Sequence, residues 1–155
     1  MDIEIIRMTN AKHEEQLKMC LWRGKGEEPD MKNLTGKEQS YVEKSLNSGC
    51  QLDGDYFYVH AAKVDGKFVG YINSVMIPKA DSRKGTLFID ELWVAKSYRR
   101  MGVAKLLMDE VIRLGEELGV WKMRLTVDLD NPGARKLYRD YGFSEKECIF
   151  GQRDL

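Results

Sequence analysis

The first feature with chemical consequences is a basic turn between an apolar strand and a helix. Residues 89–94 are mostly apolar, residues 99–102 are Arg-Arg-Met-Gly, and helical apolar spacing begins at Val103. The first N–H groups of a helix lack intrahelical partners, and the aligned peptide dipoles place partial positive charge there. Glycine lets a ligand approach the backbone, and guanidinium groups match phosphate oxygens. The segment predicts a phosphate site; the alternative is an ordinary turn with solvated arginines.

Two adjacent carboxylates, Asp90 and Glu91, lie in the strand before this turn. A carboxylate in a partly apolar strand is costly unless it has partners or a shifted pKa. Neighbouring strand residues point to opposite faces, so at most one of the two faces a ligand directly, and a bulge would change which one. The alternative to a catalytic role is a surface ion pair, with Arg7 or Arg83 as the cation.

A third set of residues lies on a predicted helix near the C-terminus. Asn131 followed by Pro132 is typical of a helix N-terminus. Tyr138 shares a helix face with Ala134 and Leu137, so its spacing alone favours a packing role for the ring. A phenol with an ordinary pKa of about 10 can also serve as a proton donor, which is the alternative role for Tyr138.

Two blocks of the chain resemble the GNAT superfamily of N-acetyltransferases. The run Arg99-x-x-Gly102-x-Ala104 resembles the acetyl-CoA signature of that family, Gln/Arg-x-x-Gly-x-Gly/Ala. Residues 131–143 are similar to the family's Asn-x-x-Ala…Tyr…Gly-Phe block, and they follow in the expected order. The resemblance spans residues 86–144.

The resemblance implies acetyl transfer from acetyl-CoA and assigns roles to residues of this chain. The implied catalytic residues are Tyr138 as general acid for the CoA thiolate and Asp90 as base, directly or through water, with Glu91 as the other candidate. Many members have glycine where Arg100 stands, but Arg100 still offers its backbone N–H. The implied cofactor site joins the strand end, the basic turn and the last helix: Leu92, Trp93, Val94, Arg99, Arg100, Met101, Gly102, Val103, Ala104, Lys105, Asn131 and Arg135.

The elements that position these residues follow from turn signals and apolar periodicity. Asn10 is expected to cap the first helix, and residues 23–36 are expected to form a loop that orders when an acceptor binds. The order β-α-α-β-β-β-α-β-α-β predicts an α/β (mixed α+β) fold with a central mixed sheet flanked by helices, as in the GNAT-like acyl-CoA N-acyltransferase fold. The sequence predicts helices at 10–22, 36–48, 103–118 and 132–141, and strands at 3–8, 55–64, 67–77, 86–95, 122–128 and 143–150.

Bulk properties limit the class of protein. The 155 residues are expected to form one domain, 1–155, and 25 basic against 25 acidic side chains argue against a broad grip on nucleic acid. No apolar run is long enough to span a bilayer, and the N-terminus lacks a signal-peptide pattern. Three widely spaced cysteines fit neither a disulfide framework nor a metal site, so we expect a cytoplasmic protein without a metal.

The sequence therefore predicts an N-acetyltransferase that moves an acetyl group from acetyl-CoA to a primary amine by direct attack in a ternary complex. The expected partners are acetyl-CoA and a small-molecule or peptide amine, without nucleic acid or membrane, and a homodimer is left open. The alternative is a catalytically silent acyl-CoA-binding regulatory domain. Such a domain would need the phosphate-binding turn but neither Tyr138 nor the acidic pair.

Overall fold

The computed structural model describes residues 1–155, and its centre is a five-stranded sheet. The first four strands pair antiparallel and the fifth joins the fourth in parallel, so the sheet is mixed. The strands lie across the sheet in chain order: β1 (Ile3–Arg7), β2 (Phe57–Val64), β3 (Lys67–Ile77), β4 (Thr86–Val94) and β5 (Lys122–Leu125).

Four helices flank this sheet, together with two 3₁₀ turns, and this confirms the predicted fold class. None of the helices is both long enough and apolar enough to cross a membrane. The parallel pairing of β4 and β5 requires a crossover, which the helix between them, α3 (Val103–Leu118), supplies. The helices are α1 (His13–Lys25), α2 (Gly36–Leu46), α3 (Val103–Leu118) and α4 (Pro132–Asp140), and the 3₁₀ turns are Asn10–Lys12 and Lys96–Tyr98.

The helices α1 and α3 cover opposite faces of the sheet. Along β2, Tyr58 and Ala62 belong to the core cluster that contains the inner residues of α3. Val59 and Ala61 belong instead to a second cluster, which contains Met19 of α1. Because successive strand residues point to opposite faces, this alternation separates an α1 face from an α3 face.

The predicted C-terminal strand is wrong. Residues 143–150 are irregular, and Ile149 is 97% exposed. A strand is stable only with a partner, and β5 has just four residues to offer. The segment is held another way, because Glu145 forms ion pairs with Arg135 and Arg139 of α4.

Two smaller expectations are also wrong. Asn10 does not cap α1, because its side chain accepts a hydrogen bond from the Leu52 N–H at 2.8 Å, and α1 begins later, at His13. The strand predicted at 122–128 ends early, at Leu125. Both errors have one cause, which is that contacts between distant segments decide where these elements begin and end.

Candidate active site

β4 and β5 separate before β4 ends. Their parallel pairing stops at Ile89 and Leu125. β4 nevertheless continues to Val94 and stays paired with β3, so residues 90–94 have one open backbone edge. An open strand edge offers N–H and C=O groups to an extended ligand. Leu92, Trp93 and Val94, three of the implied cofactor residues, lie on this edge.

A β-bulge separates the two candidate bases. Ser74 of β3 pairs with Ile89 and Asn73 pairs with Glu91, so Asp90 is an extra residue without a partner in β3. Asp90 is exposed and takes part in no ion pair. No cation of the chain therefore holds its carboxylate.

Glu91 points to the α1 face, where it already has partners. Arg23 of α1 forms an ion pair with the Glu91 carboxylate and donates to the Tyr71 hydroxyl at 2.7 Å. The Tyr71 hydroxyl in turn donates to Glu91 Oε2 at 2.9 Å. Burial raises the pKa of Tyr71, so its phenol stays neutral and remains a donor.

The cation expected for the acidic pair is thus neither Arg7 nor Arg83. Arg7 donates to backbone carbonyls of the segment before β2, and Arg83 pairs with Asp81 in its own turn. The actual partner of Glu91 is Arg23, 68 positions away in the chain. A surface ion pair was among the expected outcomes, and the structure forms it with a residue that no local pattern indicated.

The basic turn opens a site at the N-terminus of α3. Arg100 and Gly102 have left-handed backbones, with φ of 62° and 85°, which is uncommon for a residue other than glycine. α3 has no side-chain cap, and its first hydrogen bond runs from the Leu106 N–H to the Gly102 carbonyl at 3.1 Å. The N–H groups of residues 103–105 are therefore available to a ligand. A Cβ placed on Gly102 would meet nothing within 4 Å, so the space beside it is open.

These groups line a cavity of about 270 Å³ between the end of β4, the turn and α4. Arg99 is exposed, and its Nε donates to the Val94 carbonyl at 2.9 Å, which ties the turn to the strand. Arg100 and Lys105 are exposed and keep their charge at the rim. The lining residues are Val94, Tyr98, Arg99, Arg100, Gly102, Val103, Ala104, Lys105 and Leu137.

Five of the predicted cofactor residues lie outside this cavity. Leu92 and Trp93 lie on the open part of β4, and Met101 is 44% exposed on the turn. Asn131 and Arg135 belong to the start of α4. Conversely, two residues that line the cavity were not predicted, Tyr98 of the 3₁₀ turn and Leu137 of α4. The contribution of Leu137 depends on how α4 packs against the turn.

The two residues at the start of α4 have defined partners. Asn131 caps the helix as predicted, since its Oδ1 accepts from the Ala134 N–H at 3.1 Å. Arg135 donates to both carboxylate oxygens of Glu145, at 3.0 and 2.8 Å, and to the Leu129 carbonyl at 3.2 Å. Hydrogen bonds from Arg135 and Arg139 lower the pKa of Glu145 to about 2. In this structure Arg135 braces the segment after α4.

Two tyrosines of α4 and its C-terminal end have contrasting surroundings. The Tyr141 hydroxyl lies 2.8 Å from the Lys105 carbonyl and 2.6 Å from Asp109 Oδ1, so it fastens α4 to α3. Burial and the bond to Asp109 raise the pKa of Tyr141 to about 12. Tyr138 packs edge-on against Phe143, with ring centroids 6.2 Å apart. Burial raises the pKa of Tyr138. Its hydroxyl has no hydrogen-bond partner within the chain, so it is free to donate to a ligand.

Comparisons with known proteins identify the family of this chain. The model of the acetyltransferase (GNAT) family matches residues 22–143. The chain is 27% identical over 157 residues to an aminoglycoside N(6')-acetyltransferase type 1 from Salmonella enteritidis, and the match covers 99% of this chain and 98% of the relative.

Solved structures show the same fold. An aminoglycoside acetyltransferase from an uncultured soil metagenomic sample superposes with a TM-score of 0.77 at 20% identity, covering 100% of both chains. The aminoglycoside acetyltransferase AAC(6')-Iy, in complex with the bisubstrate analogue CoA-S-monomethyl-acetylneamine, gives 0.69 at 22% identity, covering 100% of this chain and 99% of its own. Since the family model spans most of its length, this chain belongs to the acetyltransferase (GNAT) family and is an enzyme of the acyltransferase class.

Proposed function

We propose that this protein transfers an acetyl group from acetyl-CoA to a primary amine by direct attack in a ternary complex. The observation that carries the proposal is the meeting of the open edge of β4 with the uncapped N-terminus of α3. A linear cofactor with a phosphate end and an amide-rich arm matches this pair of features, because one supplies an anion site and the other supplies strand-like hydrogen bonds.

In this proposal the free N–H groups of residues 103–105 bind the pyrophosphate, supported by the charges of Arg100 and Lys105. The pantetheine arm pairs with the open edge of residues 90–94. A backbone N–H of that edge donates to the thioester oxygen and stabilises the negative charge that develops on it.

Asp90 is the proposed base, because Glu91 is already engaged by Arg23 and Tyr71. The ammonium of the acceptor gives a proton to Asp90, directly or through water, and the freed nitrogen attacks the thioester carbon. The nitrogen of the tetrahedral intermediate loses its second proton to water, and the intermediate collapses to the amide with cleavage of the C–S bond. The hydroxyl of Tyr138 protonates the departing thiolate, and the phenolate regains a proton from solvent.

The acceptor class is supported by the match to the aminoglycoside N(6')-acetyltransferase, which covers nearly all of both chains. An aminoglycoside amine is therefore the first acceptor to test. The alternative, a silent acyl-CoA-binding domain, has no need of a free carboxylate at Asp90 or a free hydroxyl at Tyr138, and these two groups favour the enzyme.

The test is a CoA-thiol release assay with purified protein, acetyl-CoA and a panel that contains sisomicin, spermidine, lysine and a short peptide. We expect amine-dependent thiol release, with mass spectrometry showing one acetyl group added to the amine. Tight binding of acetyl-CoA without thiol release for any amine would contradict the proposal and favour the silent domain.

A further inference from the structure

The guanidinium of Arg23 lies in a site that is suited to a cation. Glu91 supplies the carboxylate, and the Tyr71 hydroxyl accepts a hydrogen bond from the same guanidinium nitrogen. The centre of the Tyr71 ring lies 6.0 Å from the guanidinium carbon, and the Trp93 ring packs beside the Tyr71 ring with centroids 5.7 Å apart. A carboxylate with aromatic neighbours is a general recognition site for ammonium and guanidinium groups.

This site does not depend on Arg23 for its shape. Tyr71 is fully buried, and its hydroxyl donates to Glu91 Oε2, so the carboxylate stays oriented when Arg23 leaves. The ion pair itself is half-exposed, with 40% of the Arg23 side chain and 35% of the Glu91 side chain accessible. Pairs with this exposure contribute little to stability. Arg23 also stands in the last turn of α1, which ends at Gly26 with φ of 80°.

The position of the site relates it to the chemistry. Glu91 follows Asp90 directly, and the bulge turns Glu91 to the α1 face while Asp90 remains exposed. An acceptor whose reacting nitrogen is at Asp90 would bring a second cationic group within reach of Glu91. A single amine has no such group, whereas polyamines and aminoglycosides have several.

We propose that Glu91 and Tyr71 form a subsite for a second cationic group of the acceptor, and that Arg23 occupies it until the acceptor displaces it. This inference rests on the proposed function for the location of the reacting amine. Arg23 is then a specificity-determining residue, because only an acceptor with a second positive charge gains enough from Glu91 to replace it. The substrate class is an amine with at least two cationic centres.

Titration calorimetry of sisomicin into the CoA-saturated protein tests the subsite without requiring catalysis. Arg23→Met removes the competing cation, and we expect the Kd to fall by at least about threefold, the scale of a half-exposed ion pair. Glu91→Gln removes the ligand for the cation, and we expect the Kd to rise by at least about tenfold. The double variant should match Glu91→Gln, because Arg23 has nothing to compete for once Glu91 is neutral.

Two variants control for other effects. Lys18→Met removes another paired cation of α1, whose partner is Glu28, and should leave the Kd unchanged. Arg23→Lys keeps the competing charge and should bind sisomicin like the wild type, which separates the inference from a loss of folding in Arg23→Met.

Some outcomes would overturn the inference. One is a Kd for sisomicin in Arg23→Met that is equal to or higher than that of the wild type. The other is an absence of binding of both sisomicin and spermine in every variant. Thiol release with an unchanged Kd in Arg23→Met would reject this inference alone. A lower Kd for sisomicin in Arg23→Met, together with no thiol release for any amine, would reject only the proposed function.

Discussion

The proposed donor side and the proposed acceptor side of this enzyme differ in how many polar groups are left without partners. On the donor side, the N–H groups of residues 103–105, the open edge of β4 and the Tyr138 hydroxyl have none. On the proposed acceptor side Glu91 is already paired with Arg23, and the Tyr71 hydroxyl bonds to both.

This difference shows two ways of preparing a site. In the proposal the acetyl donor is always acetyl-CoA, and it binds to backbone groups that a turn and an uncapped helix leave without partners. An acceptor side can instead keep its charges satisfied by its own chain and release them to a ligand of matching charge. Variants on each side can break or sharpen this contrast.

The largest expected effect concerns the two carboxylates on either side of the bulge. Asp90→Asn should lower kcat by about 10²–10⁴, the usual result of removing a general base. Glu91→Gln should keep kcat and raise KM for a polycationic acceptor. Steady-state kinetics with acetyl-CoA saturating separates the two parameters.

Because Asp90 is exposed, the Asn variant should bind CoA and melt like the wild type. A kcat equal to that of the wild type in both variants would leave water or the cofactor as the proton acceptor.

The next effect compares two tyrosines three positions apart. Tyr138→Phe should lower kcat by about 10²-fold, roughly 2.7 kcal/mol of barrier, with melting temperature and acetyl-CoA affinity almost unchanged. Tyr141→Phe removes the hydroxyl that bonds Lys105 and Asp109, so it should lose about 1 kcal/mol of stability and keep most of kcat. Thermal unfolding and single-turnover rates provide the two measurements. A Tyr138→Phe variant that loses stability but keeps its rate would show that Tyr138 is a packing residue.

A third effect compares the two glycines that bracket α3. Gly102 and Gly119 have φ of 85° and 67°, and a Cβ added to either would have no atom within 4 Å. Gly102→Glu and Gly119→Glu should therefore cost similar stability, since both force a non-glycine residue into a left-handed backbone. Only Gly102→Glu places a negative charge in the phosphate cavity, so it alone should weaken CoA binding by at least about tenfold, or 1.4 kcal/mol. Equal CoA affinity of the two folded variants, measured by calorimetry, would move the phosphate site elsewhere.

The smallest effect concerns His60, which lies in β2 beneath α3. Burial lowers the pKa of His60 below 6.5, and the positive charges of Arg7 and Arg113 lower it further. The carboxylate of Glu110 raises this pKa, because its Oε1 lies 3.6 Å from His60 Nε2. As the pH falls below about 6.5, His60 binds a proton in the unfolded chain but stays neutral in the folded protein until the pH is lower. Stability is therefore lost toward acid pH, at no more than about 1.4 kcal/mol per pH unit.

His60→Gln should flatten this acid limb in denaturant titrations. His13→Gln, which changes the other histidine, serves as the control and should keep the limb of the wild type. A limb that is equally steep in all three proteins would assign the acid sensitivity to carboxylates.

The turn and the helix cap of the proposed donor side could be predicted from the sequence because they are local. The turn at residues 99–104 and the Asn131 cap each depend on neighbours within a few positions, and both are found where expected. The resemblance to a family then supplied the ligand. Tyr138 was placed on the correct helix, although periodicity alone did not distinguish a packing ring from a proton donor.

The rest depends on contacts that cross the chain. The pairing of Arg23 with Glu91 joins positions 68 apart. The direction in which Asp90 and Glu91 point depends on the bulge in the register of β4 against β3. The predicted strand at residues 143–150 failed for the same reason, because its sequence pattern says nothing about whether a neighbour is available. Local chemistry was sufficient for caps and turns, and insufficient wherever a partner had to be chosen.

The bulge also bears on the insertions and deletions that β4 can tolerate. Ile89 and Glu91 already pair with consecutive residues of β3, so the sheet is complete without Asp90. A chain that lacked Asp90 would keep a regular ladder, with Glu91, Leu92 and Trp93 on their present faces. Deletion of Leu92 or Trp93 would instead restore the ladder only by moving Glu91 to the opposite face of the sheet, away from Arg23 and Tyr71. Asp90 is thus a residue that the architecture can lose, which leaves its side chain free to change with the reaction rather than with the fold.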